Sequence, residues 1–232
     1  MTRILSFGGG VNSTALLALA YLGKVEVDEV VFADTGAELP ETYEHIRRMK
    51  RVCREIGIPF TTVRGKEKGI TNLYDYCLHY RIIPLREYRW CTDKFKVRPI
   101  ASWVKGKEKK KKPVMLIGFD ANEGRRIERH LRFYPFAEKE FPLFDMKITR
   151  RKCKDIIRRA GWDVPVRSGC FFCPFKPSKY WRWLLDNHPD LFNKARELEE
   201  NSRKYPDTRL YRIPLKDVEK RWTNTRQTLL FS

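Results

Sequence analysis

Two short stretches of this chain have residue types at spacings that could do chemistry. The first is the turn Ser6-Phe7-Gly8-Gly9-Gly10-Val11-Asn12-Ser13-Thr14. Its three glycines remove every Cβ where a polyanion must approach the backbone. A helix starting directly after them offers unpaired N–H groups and the positive end of its dipole. Ser13 and Thr14 add hydroxyl donors, so Ser6, Gly8, Gly9, Gly10, Asn12, Ser13 and Thr14 read as a phosphate cradle for a nucleotide. The turn is not a Gly-x-Gly-x-x-Gly fingerprint and lacks the Gly-Lys-Ser/Thr ending of the common P-loop. A tight turn whose glycines only permit close packing is the plainer alternative. The second stretch is Gly169-Cys170-Phe171-Phe172-Cys173-Pro174, two thiols at the spacing of a metal knuckle. One Cys-x-x-Cys cannot close a four-ligand site, and Cys91 and Cys153 are the candidates to complete it.

The elements that must position these residues alternate. Strands are expected at Arg3–Phe7, Glu29–Ala33, Phe60–Val63 and Val114–Gly118, and helices at Ser13–Leu22, Pro40–Ile56 and Lys96–Val104. That alternation predicts an α/β fold with a doubly wound, mainly parallel sheet. The second strand ends in Asp34-Thr35-Gly36-Ala37-Glu38. Two successive strands therefore end in small, polar loops at the carboxyl edge, where such sheets bind ligands. Residues 71–90 read as an aromatic, irregular loop over the pocket. After Asp145 the character changes: a helix from Thr149 to Ala160 with Thr149 as its N-cap and Gly161 as its stop, then the cysteine loop, then helices at Tyr180–Leu185 and Leu191–Lys204. The expected organisation is a nucleotide-binding domain over 1–145 and a small, mostly helical cysteine-containing subdomain over 146–232.

The chain of 232 residues carries a formal net charge of +19, much of it in the run Lys105 to Lys112, in Arg125, Arg126, Arg129 and Arg132, and in Arg150, Arg151, Lys152 and Lys154. A nucleotide needs only a few positive charges, so the surplus favours a larger polyanion, DNA or tRNA. Solvated lysine-rich surface is the alternative. No apolar run reaches the ~20 residues of a membrane span, and no signal-peptide pattern precedes the first strand. A cytoplasmic protein with reduced thiols is therefore expected. Cys53 and Cys77 read as packing residues, and the four scattered histidines carry no ligand spacing. Phe171, Phe172, Phe175, Tyr180, Trp181 and Trp183 read as a subdomain core rather than as base-stacking residues.

In the order of its motifs the chain resembles the PP-loop ATP pyrophosphatases, the adenine nucleotide α-hydrolase-like superfamily, in its phosphoadenosine phosphosulfate reductase-like branch. Gly8 to Ser13 align with that family's Ser-Gly-Gly-x-Asp-Ser, with Gly8 in place of the first serine and Asn12 in place of the aspartate. Further matches are Asp34 to Glu38, Arg89-Trp90-Cys91-Thr92 with Lys96, Gly118-Phe119-Asp120 with Glu123, Arg125 and Arg126, and Ser168 to Pro174. The resemblance implies ATP with Mg²⁺, pyrophosphate held by the glycine turn, Asp34, Thr35 and Gly36 beside the nucleotide, and Asp34 orienting Mg²⁺ or a ribose. It makes Lys96, Arg125 and Arg126 clamps on phosphate or on an acidic partner. It also implies a [4Fe–4S] cluster on Cys91, Cys153, Cys170 and Cys173, with structural Zn²⁺ on the same thiols as the alternative.

Among the branches of that family, the chain is similar to the DNA-phosphorothioation ATP pyrophosphatases and the tRNA thiolases. The reading that follows is an adenylylating enzyme of sulfur transfer to nucleic acid, with a sulfur-donor protein such as a cysteine desulfurase as partner. Whether the chain is a monomer or a homodimer stays open, and no membrane partner is expected. A reductase of an adenylylated sulfate would need a nucleophilic cysteine on its C-terminal tail, and Asn224 to Ser232 hold none. A nucleic-acid-binding protein whose PP-loop has lost catalysis is the third reading, kept alive by Gly8 and Asn12.

Overall fold

The computed structural model describes residues 1–107, 112–131, 136–203, 208–218 and 220, with backbone alone for 129–131. Residues 108–111 of the lysine run, Arg132, the last residue of the expected Leu191–Lys204 helix and the tail from Asn224 lie outside the described residues.

Five strands form one parallel sheet: β1 (Arg3–Ser6), β2 (Glu29–Asp34), β3 (Phe60–Arg64), β4 (Val114–Ile117) and β5 (Glu138–Glu140), in the order β3-β2-β1-β4-β5. Leu5 at the centre faces Val30 on one side and Leu116 on the other. The chain winds outward through β2 and β3, then returns to the far side of β1 as β4. The sheet therefore changes direction between β1 and β4, and a crevice opens at their carboxyl ends. Every residue of β2 is buried, as a strand covered on both faces must be. The strand β5 was not expected from sequence. Glu138-Lys139-Glu140 shows no apolar pattern, and backbone pairing with Val114–Leu116 recruits it. The Arg3 fork holds it in place through both oxygens of Glu140, at 3.2 and 2.6 Å.

The crossovers are α1 (Val11–Tyr21), α2 (Pro40–Glu55), α3 (Leu73–His79), α4 (Trp90–Thr92), α5 (Arg98–Lys107) and α6 (Gly124–Leu131). Beyond β5 come α7 (Pro142–Asp145), α8 (Arg150–Arg159), α9 (Ser178–Asn187) and α10 (Pro189–Asn201). Helix α1 is buried along nearly its whole length, because the sheet lies on one side and α8 on the other. Thr149 caps α8 by accepting from the Lys152 N–H. Gly161, at φ 76°, ends it with a bond to the Arg158 carbonyl, while Trp162 N–H reaches back to Ile157. Between α4 and α5 the chain makes one π-helical turn, Asp93–Val97. A Cβ on Gly65 would lie 2.9 Å from the Lys94 carbonyl oxygen, so only glycine lets this wider turn rest on the end of β3.

Among the described residues four apolar clusters form. A small one lies at Phe119, Ile127 and Phe141, and another joins β1, β2 and β4 to α5 through Ile4, Val31, Ile100 and Met115. The other two are larger cores. The first joins the sheet, α1, α2 and α8 through Leu5, Leu16, Met49, Leu116 and Ile157. The second joins α3, α9 and α10 through Leu73, Trp181, Phe192 and Leu198. Buried Glu199 closes it, accepting the N–H groups of Leu210 at 2.8 Å and Leu215 at 2.6 Å.

One contact sets how close β4 comes to α1. A Cβ on Gly118 would lie 3.0 Å from both the Asn12 carbonyl carbon and the Ser13 nitrogen. Both obstacles are backbone, so neither can swing aside. Gly118→Ala is expected to destabilise the fold by about 1–3 kcal/mol, read as a lowered Tm, with weaker nucleotide binding as the loop shifts. An unchanged Tm and affinity would show that the two segments part freely.

Candidate nucleotide and thiol site

The crevice between β1 and β4 is a cavity of about 660 Å³ lined on one side by Ser6, Gly8, Gly10, Val11, Asn12 and Ser13. Gly9, at φ +68°, turns the chain, and Gly10 caps α1 with no side-chain bond. The first N–H groups of α1 therefore have no intrahelical acceptor and face the crevice. The hydroxyls do something other than the sequence suggested. Ser13 Oγ accepts from Gly8 N–H at 3.2 Å and donates to the Gly10 carbonyl at 3.1 Å, closing the loop on itself. Thr14 Oγ1 pairs with His45 Nε2 at 2.9 Å. Both hydroxyls hold the loop in shape, and the backbone is left as the donor.

The opposite wall comes from the loop after β4 and from residues beyond β5: Asp120, Asn122, Glu123, Arg126, Arg150, Arg167 and Ser168. Asn12 Nδ2 donates to Asp120 Oδ2 at 3.1 Å and to Glu123 Oε2 at 2.9 Å, while Arg150 donates to Asn12 Oδ1 at 3.2 Å. Arg126 pairs with Glu123 and lies over the Phe119 ring. Arg125 is exposed and does not line the cavity. Sequence reasoning placed Arg150 in a basic surface cluster and overlooked Arg167. Neither belongs to the glycine turn, and only the fold brings them to it.

Asp34 needs a correction. Its Oδ2 accepts Arg64 Nε at 2.9 Å and Nη2 at 2.6 Å, and its Oδ1 accepts Gly36 N–H at 2.8 Å and the Tyr43 hydroxyl at 2.9 Å. A carboxylate has about four acceptor positions. All four are taken, so Asp34 has none left for Mg²⁺ or a ribose and instead fixes the loop after β2. Thr35 and Gly36 do the same: Leu73 N–H bonds to the Thr35 carbonyl at 2.8 Å, and Asn72 Nδ2 to the Gly36 carbonyl at 3.1 Å. None of the three lines the cavity.

That loop carries the thiol knuckle. Phe171 N–H donates to the Ala37 carbonyl at 2.9 Å, and Gly169 N–H to Glu38 Oε2 at 2.8 Å. Lys96, thrown inward by the π-helical turn, donates to Glu38 Oε1 at 3.2 Å. Burial works to lower the Lys96 pKa, but Glu38 and the nearby Cys170 and Cys173 outweigh it and the net shift is upward. Lys96 thus stays cationic beside the thiols. Cys170 and Cys173 share a hydrogen bond that favours a thiolate on Cys173 and a thiol on Cys170. Cys91 interacts with Cys173, and burial raises its pKa. Sequence reasoning missed Lys176, which is 4 % exposed. Its Nζ donates to the carbonyls of Arg167 at 2.9 Å and Ser168 at 3.3 Å and lies over the Tyr180 ring.

Cys153 does not join this group. It faces α1 in the first core, where burial pushes its thiol up to about 12, with Asp120 adding to the shift. Cys77, read from sequence as packing, is the other thiol near Cys91 and sits in the second core with Cys170. Among the described residues no three His, Cys, Asp or Glu side chains converge on a single metal ion. Cys91, Cys170 and Cys173 nonetheless gather in the second core's knuckle region with Lys96 and Lys176 beside them.

A five-stranded, all-parallel sheet with a glycine turn at its switch point and helices at its C-terminal end is a Rossmann-like fold of PP-loop type. The model of the phosphoadenosine phosphosulfate reductase domain matches residues 2–147, and the chain belongs to that family. Two uncharacterized proteins of Methanocaldococcus jannaschii are similar to it. MJ0973 is 29% identical over 200 residues, 82% of this chain and 45% of its own length. MJ0066 is 28% identical over 207 residues, 82% of this chain and 40% of its own length. The chain thus spans less than half the length of these relatives. The fold is shared with the U34-tRNA thiolase NcsA from Methanococcus maripaludis, solved with its [4Fe–4S] cluster. The TM-score is 0.51 at 15% identity, covering 90% of this chain and 74% of that one. Among the described residues no helix is long and apolar enough to cross a membrane.

His45, which props Thr14, gives the cradle a pH dependence. Burial first, and then the Arg48 charge, lower its pKa to about 4, with Asp163 opposing. The folded state therefore holds His45 neutral, below an unfolded value near 6.5. Its contribution to stability is complete above that value and is lost as pH falls from about 6.5 toward 4. Thermal melts across this range should show the loss, and His45→Gln should flatten it. An identical slope in both proteins would place the titration elsewhere.

Proposed function

We propose that the chain is an ATP-dependent, pyrophosphate-releasing enzyme of sulfur transfer that acts on nucleic acid, DNA or tRNA. The observation that carries this reading is the shared wall of the cavity. The glycine turn forms one side, and Arg167 and Ser168, which lead straight into the cysteine knuckle, close the other. Membership of the phosphoadenosine phosphosulfate reductase domain family supports the nucleotide. The fold shared with a tRNA thiolase supports sulfur chemistry on nucleic acid.

In this reading the N–H groups at the start of α1 hold the β- and γ-phosphates. Asp120 and Glu123, the carboxylates lining the cavity, take the accompanying Mg²⁺. Arg126 and Arg150 stabilise charge that develops at the α-phosphate of the transferring adenylyl group. An oxygen of the acceptor bonds to the α-phosphorus as the bond to pyrophosphate breaks. Reduced sulfur from a donor protein then displaces AMP. Cys91, Cys170 and Cys173 would hold a [4Fe–4S] cluster, which supplies a sulfur-binding iron centre next to that step. Lys96 and Lys176 balance the thiolate charge, and the aromatic core around the knuckle excludes water.

ATP labelled at the α-phosphate, incubated with nucleic acid, is expected to give adenylylated acceptor and one pyrophosphate per event. Arg126→Ala should slow release about 10²-fold. Wild-type protein that binds ATP and nucleic acid yet releases no pyrophosphate would leave a binding protein.

Iron and sulfide analysis after anaerobic purification tests the thiol assignment. About four irons and four sulfides per chain are expected, lost in Cys170→Ser and retained in Cys153→Ser. Stoichiometric zinc without iron would make the knuckle structural, and loss of iron in Cys153→Ser would return that residue to the ligand set.

A further inference from the structure

Most of the aromatics that follow the knuckle are core. Phe171 is 4 % exposed, Phe172 and Trp181 are fully buried, and Tyr180 is buried. Phe175 departs from this pattern, at 40 % exposed. The Arg89 guanidinium lies 4.4 Å from its ring centroid, and the adjacent Tyr88 is 67 % exposed. An aromatic ring 40 % exposed with an arginine stacked on it does little for a core. It is, however, the arrangement on which an unpaired base stacks.

Its place in the fold is specific. Arg167, a cavity-lining residue, donates through Nη2 to the Phe175 carbonyl at 3.3 Å. The backbone of Phe175, two residues beyond Cys173, is thus tied to a side chain that lines the cavity. Arg126 of α6 and Arg150 of α8 line the same cavity, and Phe144 is partly exposed against the start of α6 at Gly124, next in sequence to exposed Arg125. Helix α8 continues the surface with exposed Arg151, Lys152 and Lys154. Its single acid, Asp155, is paired with Arg158. Positive charge beside exposed aromatic rings complements phosphates flanking an unstacked base.

We infer that Tyr88, Arg89 and Phe175 form a stacking platform for one unpaired base of a single-stranded nucleic-acid segment, whose flanking phosphates lie along α8 and the start of α6. This rests on the acceptor being nucleic acid and specifies which form of it is bound. A duplex keeps its bases stacked and offers none to the platform, so single strands, loops or flipped nucleotides are the substrates selected.

Anisotropy of labelled oligonucleotides tests the surface, using single-stranded RNA, single-stranded DNA and duplex DNA of one sequence. Either single strand should bind more tightly than the duplex, and the preferred sugar identifies the acceptor. Phe175→Ala should weaken single-strand binding roughly tenfold with an unchanged salt slope. Phe175→Trp should retain binding, which separates stacking from misfolding. The pair Arg151→Glu and Lys152→Glu should instead lower the salt slope by about two. Equal binding of duplex, no binding of any strand, or an unaltered affinity in Phe175→Ala overturns the platform. Pyrophosphate release by the unaltered chain reports on the nucleotide site separately. Phe175-dependent binding without that release removes the enzymatic reading alone, and release without Phe175-dependent binding removes the platform alone.

Discussion

The Glu38 carboxylate is the joint on which the arrangement of this protein depends. Its side chain is 1 % exposed, and an uncompensated charge at such a depth costs several kcal/mol. The partners that offset the cost come from three separate parts of the chain. Thr35 is in its own loop, Lys96 is on the π-helical turn before α5, and the Gly169 N–H belongs to the thiol knuckle. Moving any one of them leaves the carboxylate short of a partner. The same charge therefore fixes the loop after β2, the inward turn of Lys96 and the seat of Cys170.

A second balance of charge governs the cavity. Asp120 and Glu123 both reach Asn12 Nδ2 within 3.1 Å. An aspartate at that position, as in the family's motif, would set a third carboxylate against the other two. At about 4 Å and an effective dielectric near 20, each such pair costs about 4 kcal/mol. The amide turns this repulsion into two hydrogen bonds and still accepts from Arg150. The departure from the motif is thus consistent with its surroundings, and nothing in it argues for a collapsed site.

Strands β1 to β4 were legible because each is an apolar or β-branched run with turn residues behind it. The glycine turn was legible because consecutive glycines before a helix have few other uses. Strand β5 was not, since Glu138-Lys139-Glu140 is placed by its neighbour's backbone and by Arg3 rather than by any pattern of its own. Asp34 reads as catalytic in sequence, and only the arrival of Arg64 and Tyr43 from elsewhere saturates it. Cys153 could have been read correctly: it lies four residues before Ile157, and both face α1. Nothing local links Cys77 to Cys91, because their proximity is created by the packing of α3 against the turn after Trp90. Arg150, Arg167 and Ser168 reach the cavity from beyond β5, a distance no spacing rule spans.

The contact between Gly10 and Ser168 shows why the two chemistries form one unit. A Cβ on Gly10 would lie 2.7 Å from Ser168 Oγ, so the start of the knuckle rests directly on the phosphate cradle. From Ser168 the chain runs through Gly169, held by Glu38, to Cys170 in one further step. The carboxylate of Glu38 thus fixes the step between the glycine turn and the thiols. Composition changes near residue 146, but the lining of the cavity draws on residues from both sides of that point. Backbone of the glycine turn near the start of the chain and the segment that opens the thiol knuckle in its last third meet at this one contact.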